Sequence, residues 1–274
     1  MALQIGYSEL KIRERLRTSP RKNFDSFDQV MDNFRASYFA GALMINRFQA
    51  KEEVQELFQS KTWNGDSILE LLNRHSVTPE TFLHRLSQIL PGIFKITELH
   101  YLRFEHLVGR DEIQLTKELN MPRTLVPSGV RLKEHYCRRW LPVSLLQVLE
   151  GKRQNGDFKK ILIRAQRAKF MESGDEVLFI SIAHSLRLRT KMNRCVSLGL
   201  RVDNTLKRKV KFLNDPQIPV IEVNQTCERC PLENSQCSER TAPPSVYIRE
   251  EQEDLLNKRL KQLVTDYRGK NLKI

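Results

Sequence analysis

The sequence lacks any apolar run long enough to cross a membrane. One of its longest apolar stretches, Val177-Leu-Phe-Ile-Ser-Ile-Ala183, falls well short of the ~20 residues that a membrane-spanning helix requires. The first residues do not form a secretory signal either, since no apolar stretch with a cleavage site opens the chain. We therefore expect a cytoplasmic protein with no membrane-spanning part.

Catalytic signatures are also absent. The sequence contains no H-E-x-x-H zinc-peptidase motif, no phosphate-binding P-loop, no G-x-G-x-x-G after a strand and no G-x-S-x-G nucleophile elbow. The six histidines are scattered rather than clustered, and an isolated histidine more often satisfies a local contact than binds a metal. These absences lead us to expect that the protein is not an enzyme.

Cysteine is scarce, and most of it is concentrated in one loop. Of five cysteines, three lie within eleven residues, namely Cys227, Cys230 and Cys237. In a reducing compartment such a cluster is not typical of a disulfide framework and indicates a set of metal ligands. The C-x2-C spacing of the first two lets both thiolates, which are soft anionic ligands, face one centre.

The number of thiols in this loop bears on what it binds. A structural zinc ion normally takes four protein ligands, and no His or Cys follows Cys237 to complete that set. In a 4Fe–4S cluster each iron has its own ligand, so a distant residue or a small molecule can bind the fourth iron. We expect an iron–sulfur cluster, with zinc as the alternative and a metal-free structural loop as the third interpretation.

A second segment, Glu134-His-Tyr-Cys-Arg-Arg-Trp140, combines a thiol, an imidazole, two guanidinium groups and two aromatic rings. Its Cys137 could supply the fourth cluster ligand. Its arginines could instead bind phosphate while an aromatic ring stacks on a base, and a third interpretation is a buried Cys and Trp beside solvated arginines. The residues that we predict to bind a ligand are His135, Tyr136, Arg138, Arg139 and Trp140.

Basic residues are abundant and unevenly distributed. The formal net charge is +13, and the segment from Lys152 to Lys211 contains sixteen Lys or Arg against five Asp or Glu. Such a segment attracts anions, so nucleic acid and a phosphate-bearing cofactor such as coenzyme A are candidate partners. A solvated basic face without a partner would have the same composition.

Hydrophobic periodicity divides the chain into three parts, which together predict an α+β fold. Residues 1–25 are polar and basic and are predicted to be a connector, whereas residues 26–92 show helical spacing and predict a helical unit. Residues 93–274 are mainly β-type. This third part is predicted to be an antiparallel β-rich sensor domain with the cysteine loop at 227–244 and a C-terminal helix.

Capping and turn residues predict the ends of several helices. Ser26, with Gln29 three residues later, forms a capping-box signature at the first long helix. Asp66 and Thr78 are the predicted N-caps of two later helices, and Pro91-Gly92 is the predicted end of the last of these. The remaining predicted elements are helices at Lys51–Ser60, Pro142–Glu150 and Glu250–Asp266 and strands at Ile96–Phe104, Ile161–Phe170, Val177–Leu186, Cys195–Val202 and Ile218–Val223.

Four segments form a recognisable combination. They are Phe34-Arg-Ala-Ser-Tyr-Phe-Ala-Gly-Ala-Leu-Met44, Val77-Thr-Pro-Glu80 with Arg85-Leu86, Cys137-Arg-Arg-Trp140, and Cys237-Ser-Glu-Arg-Thr-Ala-Pro-Pro244. Together they resemble bacterial XRE-type regulators of short-chain fatty acid metabolism, over about residues 20–245. The cysteine loop that ends in the double proline is the most specific match.

This resemblance implies a fold and a function. In that family an N-terminal helix-turn-helix, which binds DNA, precedes a domain similar to ImmA/IrrE metallopeptidases and a sensor region with acyl-CoA binding and a cysteine-ligated iron–sulfur cluster. The resemblance places the cluster on Cys227, Cys230 and Cys237 and makes an acyl-CoA the expected effector. We also expect a homodimer.

The chain departs from the family pattern in two respects. The H-E-x-x-H motif is missing, and Arg35 stands where the peptidase fold would have an acidic ligand, so peptidase activity is not implied. The helix-turn-helix is missing too, and we expect the chain to be the C-terminal effector region of a longer regulator. The alternative functions are a zinc protein that binds nucleic acid and an inactive peptidase-like interaction module without a metal.

Overall fold

The protein folds around a six-stranded sheet in the computed structural model, which describes residues 1–12, 26–121, 134–154, 161–186 and 191–271. Within these residues the strands are β1 (Leu99–Leu107), β2 (Ile113–Met121), β3 (Leu162–Phe170), β4 (Glu176–Ser185), β5 (Met192–Arg201) and β6 (Val220–Val223). The helices are α1 (Ala2–Glu9), α2 (Phe27–Met44), α3 (Arg47–Gln59), α4 (Gly65–Arg74), α5 (Pro79–Ile89), α6 (Leu141–Gln154), α7 (Asn204–Lys209) and α8 (Ser245–Asn271).

The sheet has the strand order β2-β1-β5-β4-β3-β6. All neighbouring strands are antiparallel except β3 and β6, which run parallel. The predicted α+β fold, with an N-terminal helical region, a mainly antiparallel sheet and a C-terminal helix, is therefore confirmed. The sequence pattern does not predict β2, which is an edge strand. Its charged residues Lys117 and Glu118 are typical of edges that avoid further pairing, and they obscure the alternation of apolar residues.

Each face of the sheet carries its own core because side chains alternate along a strand. Leu99 and Tyr101 of β1 belong to a core shared with α3, α4 and α5, whereas Leu102 and Phe104 belong to a core shared with α6. Phe212, after α7, joins the first core, where its ring centroid lies 5.4 Å from that of Trp63. Helices from residues 26–92 and strands from later residues thus build one continuous core.

One close approach in the sheet shapes the second core. Gly199 of β5 lies opposite Phe179 of β4, and a Cβ atom on Gly199 would come within 2.6 Å of the Phe179 ring. Glycine therefore leaves room for that ring to lie over β5. The ring in turn packs edge-on against Trp140, with centroids 5.4 Å apart, next to the segment that carries Cys137.

Side-chain caps decide where three helices begin. Ser26 Oγ and Thr78 Oγ1 each accept a hydrogen bond from the backbone N–H three residues later, at 3.3 and 3.2 Å, so both predicted N-caps are confirmed. The N-cap of α4 is Asn64 rather than Asp66, because Asn64 Oδ1 accepts from the Asp66 N–H at 2.9 Å. Both residue types cap helices well, so the local sequence does not separate them.

The structure differs from prediction at both ends of the helical region. Pro91-Gly92 does not end the helical path: a π-helical turn, Leu90–Phe94, follows α5 and ends at Lys95 with φ 57°. Pro91 is the second residue of that turn. In the predicted connector, α1 forms and buries Tyr7, whose hydroxyl donates to Asn33 Oδ1 at 2.7 Å. Residues 13–25 lie outside the described residues.

Candidate functional site

Four of the five cysteines come together from two separate segments. Cys227, Cys230 and Cys237 lie in the loop between β6 and α8, and Cys137 precedes α6. All four side chains are buried, with 4–7% of their surface exposed. Cys137 interacts electrostatically with Cys227 and Cys230, and so does Cys237. Cys195 is buried separately within β5.

Backbone pairing between the two segments aligns the thiols. Tyr136 and Thr226 form an antiparallel bridge. On either side of it, the Cys137 N–H donates to the Gln225 carbonyl at 3.2 Å and the Cys227 N–H donates to the His135 carbonyl at 2.9 Å. Residues adjacent to a bridged pair point to the opposite face from that pair. Cys137 and Cys227 therefore share one face of this short ladder.

The two residues within the C-x2-C motif fasten the loop to the Cys137 segment. Glu228 accepts from the His135 backbone N–H at 2.9 Å and lies 2.7 Å from His135 Nδ1. Arg229 donates through Nε and Nη2 to the two carboxylate oxygens of Glu134, at 2.8 and 3.0 Å. Such bidentate pairs fix geometry as well as supplying energy. Glu228 and Arg229 thus connect the two segments, while Cys227 and Cys230 face inward.

Arg240 closes the part of the loop that carries Cys237. Its Nη2 group donates to the Cys230 carbonyl at 3.3 Å and to the Leu232 carbonyl at 2.6 Å. The Cys230 N–H also donates to the Cys227 carbonyl at 3.3 Å, which makes the C-x2-C motif a tight turn. These bonds bring Cys237 back toward the first two thiols despite the six residues between Cys230 and Cys237.

Burial and neighbouring groups raise the pKa of two of these thiols, Cys137 and Cys237. Burial raises the pKa of Cys137, and the nearby Cys227 and Cys230 raise it further. Burial also raises the pKa of Cys237, with a contribution from the Glu239 carboxylate, whereas the Arg139 guanidinium opposes this. A bound cation would have the opposite effect on these thiols, since coordination to a metal deprotonates them.

The donor set fits a metal group in its chemistry. Four thiols are the ligands that zinc sites and iron–sulfur clusters use. Within the described ranges, however, no three His, Cys, Asp or Glu side chains are gathered closely enough to hold a metal ion. The support for a metal group is therefore the chemistry of the donors alone.

Two of the residues predicted to bind a ligand are core residues. Trp140 has no exposed surface, and its ring lies between 5.4 and 6.3 Å from those of Phe104, Tyr136, Phe170 and Phe179. Tyr136 is also buried, and burial raises the pKa of its hydroxyl to about 12. In this arrangement both rings pack against protein, and neither presents a face to solvent.

The other three predicted residues surround the thiols. Arg138 is buried and donates to the Asp111 carbonyl at 2.9 Å and to Thr241 Oγ1 at 3.3 Å; the same Thr241 hydroxyl lies 3.9 Å from Cys227 Sγ. His135 and Arg139 are partly exposed. The arginines thus place positive charge beside the cysteine group, and His135 and Arg139 are the two that solvent can reach.

A groove of about 400 Å³ lies between α4 and β3, close to this segment. Its walls combine apolar side chains such as Trp63, Leu69, Leu141 and Ile163 with polar and charged ones, namely Asn64, Asp66, Gln217 and Arg164. Gln166 of β3 connects this wall to the cysteine segment, since it accepts from the Leu141 N–H at 2.9 Å and donates to the Arg139 carbonyl at 3.0 Å. The volume lies within the range of small-molecule sites.

Part of the basic segment between Lys152 and Lys211 is neutralised inside the protein. Arg167 pairs with Glu176, Arg194 pairs with Glu80 and Glu105, and Arg201 pairs with Glu98 and Asp175. Residues 155–160 and 187–190 of this segment lie outside the described residues. The positive charge that remains to attract a partner is therefore smaller than the composition indicates. Arg164 in the groove is one of the cations outside these ion pairs.

The sequence analysis missed the residues that join the two cysteine segments. Glu134, Glu228, Arg229 and Arg240 each make the contacts described above, and none was a candidate. The sequence did contain a signal. When the two segments run antiparallel, Glu134 faces Arg229 and His135 faces Glu228, so each acidic group meets a basic-capable one. Complementary charges beside clustered cysteines can therefore indicate which distant segment completes the site.

Neither family models nor curated proteins nor solved structures match the chain. Among the described helices, none combines the length and apolar character of a membrane span.

Proposed function

We propose that the chain is the effector-sensing region of a cytoplasmic bacterial transcriptional regulator of short-chain fatty acid metabolism. In this proposal Cys137, Cys227, Cys230 and Cys237 hold a 4Fe–4S cluster. The observation that carries it is the convergence of four buried thiols from two hydrogen-bonded segments. Four thiolates are the complement that such a cluster takes, and the family resemblance of the cysteine loop points the same way.

The resemblance of the cysteine loop favours a cluster over a single zinc ion, and the two groups require different distances between the sulfurs. Sulfurs around tetrahedral zinc lie about 2.3 Å from the metal and hence about 3.8 Å from one another. In a cluster each thiolate binds a different iron, so the four sulfurs are farther apart. When bound, the cluster would supply one-electron redox chemistry to the sensor.

The groove between α4 and β3 is the proposed effector site. Arg164 can bind a phosphate of an acyl-CoA, and the apolar side chains Trp63, Leu69 and Ile163 can contact its acyl chain. Gln166 joins this wall to the cysteine segment, so a change in one can reach the other. The effector shifts the regulator only by binding one state more tightly than another. DNA would be bound by a helix-turn-helix outside this sequence, in a homodimer.

Absorption and calorimetry test this proposal on the anaerobically purified chain. We expect a brown protein with absorbance at about 400 nm and bound iron and sulfide. Titration with propionyl-CoA or acetyl-CoA should give binding that Arg164→Ala weakens about tenfold. Lys258→Ala, which removes an exposed cation on α8, is the control and should leave affinity unchanged. No binding at about 1 mM ligand contradicts the effector assignment.

A second candidate function is a zinc protein that binds nucleic acid. The net charge of +13 favours it, as do three consecutive cations, Lys207, Arg208 and Lys209, in the last turn of α7. This alternative predicts a colourless, zinc-loaded protein whose DNA affinity falls steeply with salt. A brown protein whose DNA affinity is negligible at physiological salt contradicts it.

A further inference from the structure

A pocket of about 240 Å³ lies beside α3 and is separate from the groove between α4 and β3. We call it the α3 pocket. One side of α3, the π-helical turn Leu90–Phe94 and the last residue of α7, Lys209, line it. Its volume is slightly below the range of sites for drug-sized ligands. The pocket therefore suits a small molecule.

The spacing of residues along α3 decides which of its polar side chains reach the pocket. Lys51, Gln55 and Gln59 all line the pocket, and residues four positions apart lie on one face of a helix. The acidic residues Glu53 and Glu56 of the same helix line a separate cavity instead. The helix thus presents a cation and two amides to the pocket and keeps these two carboxylates away from it.

The charge of the α3 pocket is positive. Lys51 and Lys209 both line it, and of the described residues around it none is Asp or Glu. Within the part of the chain that the structure describes, neither ammonium group is paired with a carboxylate. Lys209 differs in this respect from Arg167, Arg194 and Arg201, which carboxylates neutralise. Two uncompensated ammonium groups that line one pocket attract an anion.

The apolar wall of the pocket is aromatic. Phe58 and Phe94 line it, with ring centroids 5.6 Å apart and ring planes at 67°, and Phe212 packs against Phe58 at 6.4 Å. Phe94 is the last residue of the π-helical turn, which ends at Lys95 with φ 57°. Such turns are rare and are frequent at functional sites. Because aromatic rings pack well in edge-to-face and offset-stacked arrangements, this wall favours a ligand that contains a ring.

We propose that the α3 pocket binds a small aromatic molecule with an oxyanion head, a carboxylate or a phosphate. The head pairs with Lys51 and Lys209, and the ring contacts Phe58 and Phe94. The two glutamine amides can donate to the remaining oxygens of the head. An inorganic anion would leave the aromatic wall without a contact, and a neutral ring would leave the two cations unpaired. The pocket shares no residue with the cysteine loop or the groove, so this proposal stands independently of the proposed function.

Ligand-observed NMR titration of the full chain measures this binding, with benzoate and phenyl phosphate as probes. We expect at least one of them to bind with a Kd below about 5 mM, and the tighter of the two identifies the head group. Benzyl alcohol, which lacks the charge, and acetate, which lacks the ring, should bind at least about fivefold more weakly than that probe. If neither probe binds at about 5 mM, or if benzyl alcohol or acetate binds as tightly as the better probe, the proposal is overturned.

Substitutions in the same assay locate the binding site. Lys51→Gln and Lys209→Gln should each raise the Kd of the probe about tenfold, because each removes one charged contact. The matched control is Lys207→Gln, which removes an exposed cation outside the pocket from the helix that carries Lys209 and should leave Kd within about twofold. Arg164→Ala in the groove should also leave Kd unchanged, and circular dichroism shows that each variant is folded. An unchanged Kd in either α3-pocket lysine variant, or an equal loss of affinity in Arg164→Ala, overturns the assignment.

Discussion

Removing the guanidinium of Arg229 tests whether the contact between the two cysteine segments stabilises the protein. In Arg229→Met, both oxygens of Glu134 lose their donors at 2.8 and 3.0 Å. The Glu134 side chain is only 6% exposed, and the Thr226 hydroxyl donates to the same carboxylate at 3.2 Å. The variant therefore removes the Arg229 cation from an almost buried carboxylate.

The expected cost follows from the burial of the two partners. Breaking a fully buried ion pair costs about 3–5 kcal/mol, because an uncompensated charge remains. Arg229 is 24% exposed, so water reaches one side of this pair and screens it. We therefore expect Arg229→Met to lower the free energy of unfolding by about 2 kcal/mol.

Urea unfolding, followed by the fluorescence of buried Trp140, measures this cost. The matched control is Arg249→Met on α8, where the partner Glu253 lies at 3.9 Å and both side chains are more than half exposed. An exposed pair of this kind contributes less than about 0.5 kcal/mol. If Arg229→Met costs no more than Arg249→Met, the argument that this pair holds the two segments together is refuted.

Three further predictions concern the site and the core. Cys137→Ser should abolish the absorbance at about 400 nm of the anaerobic protein, whereas Cys195→Ser, at an equally buried thiol outside the group, should retain it. Gly199→Ala should destabilise the protein by about 1–3 kcal/mol in urea unfolding, because its methyl group would press on the aromatic ring opposite in β4. Burial, with a contribution from Lys117, lowers the pKa of His84 to about 4. Because the folded state then resists protonation, stability should be complete above pH 6.5 and fall toward pH 4; His84→Gln should lose this dependence.

Capping rules, which depend on neighbouring residues, predicted helix ends that neighbouring residues determine. Thr78 caps α5 as expected, since its hydroxyl and the N–H that it binds lie three residues apart. The same rules could not choose between Asn64 and Asp66 for α4, because both side chains suit the position. Strand β2 escaped prediction for a different reason: as an edge strand it carries charges such as Lys117 that a buried strand would exclude.

The candidate site was predictable in residue type but not in assembly. The C-x2-C spacing identifies Cys227 and Cys230 as a pair because a two-residue turn brings them together. The approach of Cys137 depends on a ladder between segments about ninety residues apart, and no periodicity reports such pairing. The burial of Trp140 also depends on distant strands, since the aromatic residues that enclose it come from β1, β3 and β4 as well as from its own segment.

The cysteine segments occupy a position between two other parts of the molecule. One segment is hydrogen-bonded through Gln166 to the wall of the groove, and the other supplies the Glu228 carbonyl that fixes the first turn of α8. The two segments are thus hydrogen-bonded both to the groove wall and to α8. Since coupling requires an element with two arrangements that both sites bias, the pair of segments is the element that would connect an effector in the groove to the direction of α8.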